Sequence, residues 1–148
     1  MRDNSTNTGT AGKLFRWLAA TMFALAVATI AVAGLGAFDA INKAGDGPVS
    51  KKMIEHGYGV HIALGSATVL VMIALPIVAA VGRLGTTKLR WSLALAALGI
   101  IQAILGSGET VPVLGLLHGL GAVATLALSG GLARRAWANT GPREPSMA

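Results

Sequence analysis

Four stretches of the chain run with almost no charge, and short polar segments separate them. They cover about 14–38, 53–81, 89–107 and 112–134. A window of roughly 20 uncharged apolar residues is what a helix needs to cross a bilayer. The pattern therefore predicts an all-α, four-helix transmembrane bundle occupying residues 13–137. The polar tails, 1–12 and 138–148, read as disordered and cytoplasmic. Lys13 and Arg16 anchor the start of the first helix, with Trp17 at the interface. Pro76 predicts a kink near one end of the second helix. Pro112 suits the first turn of the fourth. The small residues "AVAG" at 31–34 resemble a signal-peptide cleavage site, but the apolar run from Trp17 to Phe38 is longer than a signal core and spans by itself.

Orientation follows from the cations. Arg2, Lys13, Arg16, Arg83, Lys88, Arg90, Arg134, Arg135 and Arg143 lie on one side of the predicted spans, against Lys43, Lys51 and Lys52 on the other. The richer side belongs in the cytoplasm, so both termini are expected there. The 1–2 loop, "DAINKAGDGPVSKK", and the 3–4 turn, "GSGETV", then face outward.

Composition agrees. The 148 residues are 53% hydrophobic and only 12% charged, where a soluble domain carries about a quarter charged residues. The net charge of +6 is accounted for by loop cations, so nucleic acid is not an expected partner. The chain has no cysteine. Thiolate metal sites, iron–sulfur clusters, covalent c-type haem and disulfides are thereby excluded.

The two predicted hairpins resemble one another. Each has a plain apolar helix going out and a returning helix that carries a histidine, His61-x-x-x-Gly65 in one and His118-x-x-x-Ala122 in the other. This weak repeat suggests a pseudo-two-fold axis along the membrane normal.

Depth counting brings three polar residues to one level. His118 lies six residues past Pro112, roughly 9 Å below the outer end at 1.5 Å per residue. His61 falls at a similar depth on helix 2, and Gln102 sits six residues before Gly108 at the end of helix 3. His56 is closer to the surface and about 140° around the helix from His61. Other polar groups at membrane depth are hydroxyls such as Thr68 and Thr125, which can bond back to their own helix. Ionisable groups inside a membrane usually face the bundle interior or a cavity and mark functional sites.

Three chemistries suit this layer. The first is a b-type haem with His61 and His118 as axial ligands and His56 as the substitute ligand on helix 2. Two helices would present the imidazoles at equal depth, Gly65 and Ala122 would leave room beside them, and Gln102 would orient an imidazole or bond a propionate. The second is helix-to-helix hydrogen bonding among His61, Gln102 and His118, in a cofactor-free structural or accessory subunit of a larger membrane complex of respiratory type. The third groups Glu55, His56 and His61, with His118 as a further candidate, into an outward-facing metal, proton or quinone site. No nucleophile-and-base constellation and no phosphate-binding loop appears.

The stretches "EHGYGVHIALG", "IIQAILG" and "LLHGLGA" resemble one four-helix half of haem A synthase, a family built from two such halves with haem-ligating histidines on the second and fourth helices. The resemblance implies haem ligation by His61 and His118. The family's Glu-x-x-His motif is not reproduced, since Glu55 lies six residues before His61 and one before His56. The span 13–135 is also similar to an uncharacterised bacterial family of single four-helix membrane proteins with the same order of "GLGAF", His, Gln and "LH".

The leading expectation is a small haem b protein of a bacterial plasma membrane, transferring electrons near the outer leaflet. The lipid bilayer is the expected surround, and a quinone or the subunits of a membrane complex the expected partners. Glycine-lined helix faces also permit an oligomer.

Overall fold

Helix accounts for nearly every residue described in the computed structural model, which covers 9–107 and 111–138. The elements are α1 (Thr10–Ala44), α2 (Lys51–Val81), α3 (Thr86–Ser107) and α4 (Pro112–Ala138). All four are long and apolar enough to cross a membrane. Most of the expected tails, and Gly108, Glu109 and Thr110 of the 3–4 turn, lie outside the described residues.

The helices reach beyond the uncharged windows. Thr10–Gly12, expected in the tail, form the first turn of α1. That helix continues past Phe38 to Ala44, so much of the expected 1–2 loop is helical, and Lys43 pairs with Asp39 one turn away at 2.7 Å. Ser50 caps α2 by accepting from Met53 N–H at 3.3 Å, which starts that helix two residues early. α4 carries Arg134, Arg135 and Trp137 within its last turns. The reason is common to all these ends. Backbone bonding does not stop where charge begins, and long cationic side chains reach polar surroundings from a helix that continues beneath them. α2 runs unbroken through the buried Pro76.

The helices form a ring in which each touches its two chain neighbours and α1 closes on α4. α1 makes no backbone approach to α3, nor α2 to α4. α2 and α4 are therefore diagonal partners across a central axis. The α2–α3 connection is tight: Gly82, Arg83 and Leu84 donate back to Val78, Ala80 and Ala79. Gly85 there has φ +93°, a conformation that glycine adopts without strain.

The packed core sits at the end of the ring that carries the termini. Phe15, Met22, Leu75, Leu95 and Leu132 interlock there with essentially no exposure. The outer surface is apolar throughout, with residues such as Leu70, Val81 and Ile104 well over half exposed. A helix that is apolar on every side suits hydrocarbon surroundings rather than water.

Candidate functional site

The hairpin repeat extends to the buried positions. Thr68, Met72, Leu75 and Ala79 on α2 correspond to Thr125, Ser129, Leu132 and Ala136 on α4 at the same separation that relates His61 to His118. Ala19, Met22 and Ala26 on α1 likewise correspond to Ser92, Leu95 and Gly99 on α3, and that separation relates Thr29 to Gln102. The buried positions and the two histidines thus follow one spacing in both hairpins, in keeping with the sequence repeat.

His61 and His118 meet across the bundle, with ring centroids 6.1 Å apart and planes at 76°. Each is tied to the outgoing helix of its own hairpin. His61 Nδ1 lies 3.0 Å from the carbonyl oxygen of Thr29, and His118 Nδ1 lies 3.2 Å from the carbonyl oxygen of Gln102. A carbonyl oxygen only accepts, so Nδ1 carries the proton and donates in both cases. In the neutral imidazole the lone pair is then on Nε2. The two bonds are equivalent under the repeat. One rule of construction thus sets both rings.

Gln102 orients the His118 imidazole as expected, though through its backbone carbonyl, and its carboxamide adds a helix-to-helix bond. Its side-chain Nε2 donates to the carbonyl oxygen of His118 at 2.9 Å, while its own backbone accepts from the ring of His118. The two residues lock α3 to α4 reciprocally. This contact needs Gly121, where a Cβ would fall 2.6 Å from Gln102 Oε1. Gly106 plays the same role for the ring of His118, with a Cβ position 3.2 Å from Cε1. Gln102 Oε1 is buried without a hydrogen-bond partner.

Gly65 opens onto free space, with nothing within 4 Å of a Cβ position, and Ala122 is half-buried. His56 is exposed and lines a groove of about 360 Å³ between α1 and α2 with Asp39 and Gly57. It does not join the His61–His118 pair. Glu55 turns to Lys51 at 3.6 Å. Among the described residues no three His, Asp or Glu side chains converge, so the expected cluster of Glu55, His56 and His61 does not form: these side chains leave α2 in different directions.

Two residues escaped sequence reading. Thr29 supplies the His61 acceptor and a hydroxyl 3.2 Å from that of Thr68. A backbone acceptor leaves no trace in side-chain chemistry, although the position is equivalent to Gln102. Tyr58 stacks edge-on to His61 at 5.8 Å. Its spacing of one turn before His61 was the available signal. Thr68 bonds back to Leu64 as expected, but the equivalent Thr125 hydroxyl has no partner.

No family model, no curated protein and no solved structure matches the chain.

Proposed function

We propose that the chain is a small b-type haem protein of a bacterial plasma membrane, with His61 and His118 as axial ligands and a role in electron transfer. The observation that carries this is the paired imidazoles, whose Nδ1 atoms are both engaged by backbone carbonyls and whose Nε2 lone pairs remain for a metal. Metal-bound histidines usually donate their second ring nitrogen in this way, which fixes tautomer and ring orientation. The spacing fits as well. Two imidazoles bound on opposite sides of one metal, at about 2.0–2.1 Å per bond, have centroids roughly 6 Å apart once the ring radii are added. They stand 6.1 Å apart.

α1 and α3 make no close backbone approach to one another at either end of the ring. Bound haem supplies reversible one-electron chemistry. The chain's own contribution is to hold the iron through His61 and His118, to orient those rings through the carbonyls of Thr29 and Gln102, and to surround the site with apolar residues. With both termini cytoplasmic, this layer lies toward the outer leaflet, and a quinone or the subunits of a membrane complex are suitable partners.

The competing reading is a cofactor-free accessory subunit, favoured by the same hydrogen bonds, since they already knit each hairpin. The absorption spectrum of protein purified from haem-sufficient cells decides. A sharp Soret band is expected, lost in both His61→Ala and His118→Ala and kept in His56→Ala. Folded, colourless wild-type protein overturns the haem assignment and leaves the accessory subunit.

A further inference from the structure

At the opposite end of the bundle a cavity of about 410 Å³ opens between the start of α3 and the end of α4, lined among others by Thr86, Thr87, Lys88, Trp91, Leu132 and Arg135. Its floor is apolar, because Leu132 belongs to the buried core. Its mouth is cationic. The guanidinium of Arg135 lies flat over the indole of Trp91, 4.0 Å from the ring centroid. That stacking holds the group in one plane and leaves its N–H edge available, the geometry in which arginine grips an oxyanion with two parallel hydrogen bonds. Lys88 borders the same space with its ammonium 5.8 Å from the ring of Phe15, and the hydroxyls of Thr86 and Thr87 add donors.

Nothing acidic stands nearby among the described residues. Asp39, Asp46 and Glu55 are at the other end of the ring, and the first turn of α3 holds no carboxylate. This end also bears Arg16, which lies over Trp137 at 5.6 Å. A cavity with an apolar floor and a rigid, cationic rim at the edge of a membrane-length bundle matches a phosphate attached to acyl chains.

We propose that this cavity binds a phosphate group, either the phosphodiester of an anionic lipid or free inorganic phosphate, with Arg135 as the principal contact and Thr86 and Thr87 completing it. The proposal is independent of the haem reading.

Native mass spectrometry of the full chain released from nanodiscs of equal phosphatidylglycerol and phosphatidylcholine tests it. An enrichment of about fivefold in retained phosphatidylglycerol is expected, the preference one interfacial cation confers. Arg135→Gln removes that enrichment. Arg90→Gln, an exposed cation outside the cavity, preserves it. Inorganic phosphate added to phosphatidylcholine discs separates the two sources. A rise in thermal midpoint that Arg135→Gln abolishes identifies free phosphate, whereas lipid enrichment without that rise identifies the headgroup. Equal retention of both lipids with no phosphate-induced rise overturns the proposal, and this wild-type comparison stands whether or not the variant folds. An Arg90→Gln loss equal to that of Arg135→Gln also overturns it, since general surface charge would then be responsible.

Discussion

The two ends of the bundle are built on different principles. At the termini end, Phe15, Met22, Leu75, Leu95 and Leu132 fill the ring and are almost wholly enclosed. At the loop end the axis holds two half-buried imidazoles and a carboxamide, bordered by Gly106 and Gly121. One end is fixed by interlocking volume and the other by directional hydrogen bonds between close backbones. Volume packing and directional bonding are thus separated along the same four helices.

The sharpest way to break this comparison is to empty the packed end. Phe15→Ala removes a side chain with no exposure and should destabilise by about 3–5 kcal/mol, as core aromatic truncations do. Val60→Ala, beside His61 in sequence but 61% exposed, should stay within about 0.5 kcal/mol. Reversible unfolding in mixed micelles measures both. Equal losses would mean that cohesion is spread evenly and that the two ends are not distinct.

The next largest effect belongs to the loop end. Gly36 and Gly57 bring α1 and α2 together so closely that a Cβ on Gly57 would stand 2.6 Å from the carbonyl oxygen of Gly36. Backbone atoms cannot rotate aside as a side chain can. Gly57→Ala should therefore push the helices apart and cost about 1–3 kcal/mol, read in the same unfolding experiment. A neutral result would show that close backbone approach does not hold this end.

Much of this architecture was legible in the sequence because hydrocarbon surroundings impose a coarse rule. Uncharged runs of sufficient length must be helices, and those runs located all four. Depth counting also worked, because rise per residue is fixed, and it put His61, Gln102 and His118 in one layer. The helix ends were not legible. Asp39–Ala44 and Arg135–Ala138 include charged or polar side chains, yet are helical, since backbone can bond internally whatever its side chains carry. The ring partners were also hidden. The acceptors are the carbonyls of Thr29 and Gln102, which every residue type possesses, so only packing could reveal them. His56 shows the converse: spacing alone made it eligible as a ligand, and the groove beside Asp39 places it elsewhere.

The smallest predicted effect tests the repeat itself. Thr68 and Thr125 are equivalent and equally enclosed, each 6% exposed, but their hydroxyls differ in partners. Thr68 donates to Leu64 at 2.7 Å and meets the Thr29 hydroxyl across the helix interface at 3.2 Å. At the equivalent of Thr29 stands Gln102, whose side chain is drawn to His118 instead, and the Thr125 hydroxyl and Gln102 Oε1 are both left unsatisfied. Interhelical bonds inside membranes contribute roughly 0.6 kcal/mol, so Thr68→Val should lose about that amount. Thr125→Val breaks no bond and removes a buried, unpartnered hydroxyl, so it should be neutral or slightly stabilising. The difference in unfolding free energy between the two variants is the measurement. If both lose equally, the Thr125 hydroxyl has a partner in the folded protein, and the second hairpin satisfies its polar groups as fully as the first.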